Sequence, residues 1–150
     1  MTKTTIRYSW PVGKKNVVRM TYDESPAHVG PLINSVDFIV PLGTPVKAAA
    51  PGLVIEIKDD SRVGGASKDF EPDGNYIEIQ HSRGEYSEYE HLQQNSARVK
   101  VGERIRAGQI IALSGATGWI ADLGPHLHFM VGKYGNTVKD YQTLEIVWKK

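Results

Sequence analysis

Two histidines separated by a single residue, His126 and His128 in Gly124-Pro125-His126-Leu127-His128-Phe129, are the residues of this chain best placed to do chemistry. Successive side chains of a strand point to opposite faces, so both imidazoles share one side while Leu127 and Phe129 enter a core on the other. One ring can then ligate a metal while its neighbour, roughly 7 Å along the strand, moves a proton or steadies a transition state. The pair does not settle the matter alone, because plain core strands also carry alternating histidines. The chain has five histidines. His28 and His91, together with Asp37, fall in stretches that read as pieces of the same site. His81 is explained separately: it closes the strand before Ser82-Arg83-Gly84, a hairpin turn, and is expected to hydrogen-bond turn backbone.

The elements that must position these groups are strands. Short apolar or alternating runs at 36–40, 53–57, 76–80, 86–91, 104–113 and 126–131 are separated by turn residues, and no stretch carries a helical period of three or more turns. The 15 glycines and 8 prolines sit mostly where strands would reverse. The segments 43–54 and 99–109 read as strand corners, and Asn75 after Gly74 reads as turn chemistry. The tail from Gly132, with Tyr134-Gly135-Asn136 as a turn, is expected to return as one more hairpin strand before Val147-Trp148. Two connections, 58–73 and 115–124, are longer than a sheet needs and read as groove walls, with Trp119 exposed to a ligand on the second. Tyr89 lies two residues before His91. In an extended strand its phenol would share the cleft-facing side, either hydrogen-bonding a substrate or serving packing through its ring, while Glu88 and Glu90 face away and, with Glu85, read as solvated charges.

Composition narrows the chemistry. At 150 residues, 40% hydrophobic and 23% charged, the chain fits one domain over 1–150 with a sizeable core. A formal net charge of +1 with interspersed signs supplies no basic stripe for nucleic acid and no basic amphipathic helix for a membrane surface. The absence of cysteine excludes disulfides, thiolate-held zinc and thiol nucleophiles, so any metal must be held by histidine and carboxylate. No apolar run is long enough to span a bilayer, and the polar start Met1-Thr2-Lys3-Thr4-Thr5 reads as having no secretory signal core.

The motifs in their order, His28 with Asp37, Tyr89-Glu90-His91-Leu92, Gly115-Ala116-Thr117-Gly118 and Gly124-Pro125-His126-Leu127-His128-Phe129, resemble those of the M23 zinc metallopeptidases of the lysostaphin and LytM type. The resemblance runs from Trp10-Pro11-Val12 through Asp37-Phe38 and Pro41-Leu42-Gly43-Thr44-Pro45-Val46 to about Val131. It implies an all-β fold, a mostly antiparallel sheet related to the duplicated hybrid motif and the barrel-sandwich, with a metal site in a groove on its open face. It implies one Zn2+ per chain on His28, Asp37 and His128, with a fourth position open for hydrolysis. His91 and His126 would be the catalytic pair, and Tyr89 and Trp119 would touch substrate. Eight residues, 29 to 36, separate His28 from Asp37, wider than in the compact form of that motif, and Met130 stands where glutamate is common.

The expected activity is hydrolysis of peptide bonds in peptidoglycan stems or cross-bridges by a monomer, in a cell-envelope or extracellular setting. The alternatives are a metallopeptidase acting on another small-residue peptide and a non-catalytic M23-like regulatory or binding module. The Ala-Pro-Gly and Val-Gly-Glu-Arg-Ile turns also resemble lipoyl and biotinyl domains, but such a carrier needs a lysine at an exposed hairpin tip. The presence of His28, Asp37, His91, His126 and His128 together favours the enzyme.

Overall fold

The computed structural model describes residues 3–22, 33–121, 123–137 and 140–150, and its alternating apolar segments form strands. In chain order these are β1 (Lys3–Tyr8), β2 (Arg19–Thr21), β3 (Val36–Ile39), β4 (Pro45–Lys47), β5 (Gly52–Lys58), β6 (Gly64–Gly65), β7 (Tyr76–Gln80), β8 (Tyr86–Glu90), β9 (Arg104–Ile105), β10 (Ile110–Leu113), β11 (Gly118–Trp119), β12 (Leu127–Lys133), β13 (Gln142–Thr143) and β14 (Glu145–Trp148). Among the described residues the only helical pieces are short 3-10 turns such as Lys68–Asp73. No helix among them is long and apolar enough to cross a membrane.

The main sheet has eight strands in the order β2-β3-β12-β8-β7-β5-β9, with β13 also paired to β12. All its pairings are antiparallel, so the architecture is all-β and mostly antiparallel as expected. β12 lies in the middle, and its period-two pattern sends Leu127, Phe129 and Val131 to one face, where they are fully buried. Tyr89 and Ile77 follow Phe129 across the sheet, since β12, β8 and β7 are in register there. The core is closed from the other side by Val46, Ala48, Ala49, Ala50 and Ile111, so the small residues of the 48–50 corner serve close packing.

Two expected elements differ. The run 104–113 is broken at Arg106, whose carbonyl accepts from Gln109 N at 3.2 Å, and its halves join different sheets. β9 pairs with β5, and β10 with β4. The tail does return as a hairpin strand, β13, but then leaves the main sheet, and β14 runs parallel to β1. Aromatic packing draws it there: the Trp148 ring centroid lies 5.8 Å from Phe129 and 6.1 Å from Phe38.

Buried polar groups lock these layers together. Glu85, fully buried, accepts from Thr5 N at 2.6 Å, Ile6 N at 3.4 Å and Tyr8 OH at 2.9 Å, and so clasps β1 to the β7–β8 turn. It is not the solvated charge that its sequence context suggests. His81 does bond turn backbone, but at the 48–52 corner: its Nδ1 lies 2.7 Å from Pro51 O and its Nε2 2.7 Å from Ser87 Oγ. The carbonyl can only accept, so Nδ1 carries the hydrogen, and burial lowers the pKa of the ring below that of a free imidazole.

Replacing Glu85 by alanine leaves three donors without their acceptor, at about 1–3 kcal/mol for each that stays unpaired. The expected outcome is a loss of at least about 2 kcal/mol in urea unfolding, with the amides of Thr5 and Ile6 exchanging with solvent before those of β7. A loss below about 0.5 kcal/mol would show that the clasp does not hold β1.

Candidate active site

Antiparallel pairing of β3 with β12 sets His128 directly opposite Asp37. The His128 Nδ1 atom is 3.2 Å from Asp37 Oδ1, and His126 Nε2 is 3.5 Å from the same oxygen. Asp37 is 0%, His126 2% and His128 3% exposed, so a carboxylate and two imidazoles share a site removed from water. His126 Nδ1 lies 2.8 Å from the Gly124 carbonyl, which can only accept, so the hydrogen sits on Nδ1 and a lone pair on Nε2 faces the carboxylate. The donors are the nitrogen and oxygen types that suit zinc, so the residues present fit that ion. Asp37 and His128 bring two of the three expected ligands together; His28, the third, lies outside the described residues. Among the described residues no group of three candidate ligands is gathered for a metal.

His91 joins them by a backbone device. It follows the last residue of β8 and has φ +68°, a left-handed conformation that costs a β-carbon residue on the order of 1–2 kcal/mol. The twist breaks the strand alternation. The ring therefore lies on the side of Glu88 and Glu90, with its centroid 4.6 Å from His126 and 6.0 Å from His128. Its Nδ1 is 2.7 Å from Thr117 O, which places the hydrogen there and leaves the lone pair on Nε2. Burial, then the neighbouring His126 and His128, hold the His91 pKa down at about 3, so the ring is neutral near neutral pH. His128 is moved the other way: burial opposes its charged form, but Glu90 and Asp37 outweigh burial and raise it.

The same break in alternation overturns the expected place of Tyr89. Its side chain is fully buried in the core, where the hydroxyl accepts from Ala49 N at 2.9 Å and meets Ser87 Oγ at 2.9 Å, so it is not a cleft residue. Glu88 and Glu90 take that side instead. With Glu71, Pro72, Gly74, Tyr76, His91, Trp119 and His128 they line a recess of about 260 Å³. The signal that could have found them is the pairing register: Glu90 faces His128 across β8 and β12, and Glu88 faces Met130.

The two long connections meet as one wall. Gly64 and Gly65 of β6 pair in parallel with Gly118 and Trp119 of β11, and Trp119 Nε1 donates to Ala66 O at 3.1 Å. A side chain at Gly64 would strike Ala116 O, its Cβ falling 2.0 Å away, so only glycine allows this approach. Trp119 thereby reaches the recess, half-buried at its edge.

Comparison with known proteins places this geometry. The profile of peptidase family M23 matches residues 32–140. Peptidoglycan DD-endopeptidase ShyA of Vibrio cholerae is 34% identical over 125 residues, covering 80% of this chain and 26% of that protein. The chain thus spans about a quarter of the length of that curated relative. The crystallised catalytic domain of the antimicrobial peptidase lysostaphin from Staphylococcus simulans superposes with a TM-score of 0.59 at 31% identity, covering 83% of this chain and 87% of that one. A variant catalytic domain of the prophage-encoded M23 protein EnpA from Enterococcus faecalis gives 0.63 at 27% identity, with 91% and 92% covered.

Glu88 offers a pH test of the acidic side of the recess. Burial, then the carboxylates of Glu90, Glu78 and Glu56, raise its pKa well above the usual carboxylate range. A carboxyl whose pKa is higher folded than unfolded contributes stability below the unfolded pKa and loses it as pH rises through the folded value. Glu88→Gln is therefore expected to raise Tm by about 2–4 °C at pH 8 and to have a vanishing effect toward pH 4. An equal shift at both ends of a thermal-unfolding series would remove charge as the cause.

Proposed function

Because the chain belongs to peptidase family M23, we propose that it is a zinc-dependent endopeptidase that hydrolyses peptide bonds in the stems or cross-bridges of peptidoglycan. The observation that carries this reading is the convergence of buried Asp37, His126 and His128 with the strained His91, beside a recess that His91 and His128 line. The wall substrate is supported by the relatives, ShyA and lysostaphin among them, and implies work at the cell envelope.

Asp37 and His128 would hold the ion, with His28 as the third ligand. When bound, zinc polarises the scissile carbonyl and acidifies water. The protein's own groups do the remaining work. His91, neutral and anchored through Nδ1–H to Thr117 O, presents the Nε2 lone pair and takes a proton there as general base. His126, anchored through Nδ1–H to Gly124 O, stabilises developing negative charge once its Nε2 lone pair has taken up a proton. Burial of all three imidazoles keeps competing water away and strengthens each of these contacts. Trp119 forms one edge of the recess and would pack on an extended peptide, while the sheet face below it suits such a substrate.

Elemental analysis paired with a turbidity assay on purified peptidoglycan tests the reading. Near one zinc per chain, lost in His128→Ala, and wall lysis abolished by a chelator are the expected results. His91→Ala should keep its zinc and lose activity by about 10²-fold or more. Stoichiometric zinc without lysis would move the substrate to another peptide, and no zinc at all would overturn the enzyme in favour of a binding module.

A further inference from the structure

The left-handed turn at His91 has no glycine to relieve it, so something outside β8 must hold it. The next residue, Leu92, is fastened at both of its backbone polar groups. Its N–H donates to Asn75 O at 3.1 Å, and its carbonyl accepts from Asn75 Nδ2 at 3.1 Å and from Thr117 Oγ1 at 2.8 Å. Asn75 N–H donates in turn to Thr117 Oγ1 at 3.1 Å, so the two residues brace each other. The carbonyl of the same Thr117 receives His91 Nδ1–H. Asn75 and Leu92 are fully buried and Thr117 is 6% exposed, so none of these bonds competes freely with water.

The clamp also reaches the groove wall. Asn75 Oδ1 accepts from Ser61 N at 3.0 Å and Nδ2 donates to Ser61 O at 2.8 Å, which ties the 58–73 connection to the same point. Behind it Gly118, at φ +84°, lies against Gly74 so closely that a Cβ there would fall 2.6 Å from Gly74 Cα. Thr117 is thus held through its hydroxyl by Leu92 O and Asn75 N–H, and through the next residue by the close packing of Gly118 on Gly74.

We infer that Asn75 and Thr117 are positioning residues for His91, setting both its left-handed backbone and the tautomer that leaves the lone pair on Nε2. Asn75 is then more than a turn residue. The inference rests on the part given to His91 in the proposed reaction, but the tautomer can be read without turnover.

Three variants of the whole chain test it: Thr117→Val, which keeps the shape and removes the hydroxyl; Thr117→Ser, which keeps the hydroxyl; and Asn75→Asp, which removes the donor to Leu92 O. Each is checked for folding by thermal unfolding and for zinc by elemental analysis, then assayed on soluble peptidoglycan fragments. The His91 ring nitrogens are followed by 15N NMR, assigned by their loss in His91→Ala. The expected result for Thr117→Val and Asn75→Asp is a kcat lowered about tenfold or more at KM within about twofold, zinc unchanged, and a mixture of His91 tautomers. Thr117→Ser should restore a single tautomer and kcat to within about threefold. Folded Thr117→Val with one tautomer and unchanged kcat would overturn the inference, as would equal losses in Thr117→Ser and Thr117→Val. Unchanged kcat in His91→Ala would instead overturn the role of His91 in the reaction, and the NMR readout would still decide the clamp.

Discussion

Everything at the site depends on the register of β12 between β3 and β8. That register places His128 across from Asp37 on one side and from Glu90 on the other. A slip of one residue would exchange every side chain of β12 between faces, putting Leu127 or Phe129 among the polar groups and both imidazoles in the core. The hydrophobic face prevents this: Leu127, Phe129 and Val131 are fully buried and interlock with Phe38, Val36, Tyr89 and Ile77. Core packing and the alignment of the polar site are therefore one constraint, since the same seven-residue strand supplies both.

Sequence alternation is a sufficient guide wherever a strand is regular. β7 lies at 76–80 as its pattern predicts, and the rings of His126 and His128 both approach Asp37 Oδ1. It misleads where the backbone turns out of the extended region. Alternation counted through His91 predicts the opposite sides for Tyr89, Glu88 and Glu90, because the positive φ of His91 reverses the face at that point. Nothing in Tyr89-Glu90-His91-Leu92 announces that reversal, for it is imposed from outside by groups at 75 and 117. The burial of Glu85 escapes sequence for a related reason: its carboxylate accepts from the backbone amides of β1, distant in sequence and invisible to any local pattern. The tail was legible as a hairpin but not as a parallel strand, because its last step follows the Trp148 ring to Phe129 and Phe38.

The buried polar groups fall into two kinds. Glu85 and His81 are engaged by fixed partners and serve assembly, joining β1 and the 48–52 corner to the sheet. Asp37, His126 and His128 sit together so that their charges and lone pairs face one another, an arrangement that folding alone would avoid. His91 is intermediate, with one nitrogen committed to Thr117 O and the other turned toward the recess. Burial by itself does not separate scaffold from site, since all five of His81, Asp37, His91, His126 and His128 are buried.

The two-residue glycine ladder between β6 and β11 has a consequence for how this protein can be altered. Because the two long connections pair at Gly64–Gly65 and Gly118–Trp119, a change within either stretch disturbs the hydrogen bonds of the other connection as well. Loop grafts from relatives should therefore transfer as matched pairs, and insertions tolerated in one connection should be accompanied by changes in the other. Substrate range in this scaffold would then shift in coordinated jumps, with single-site drift confined to the residues that project from the ladder.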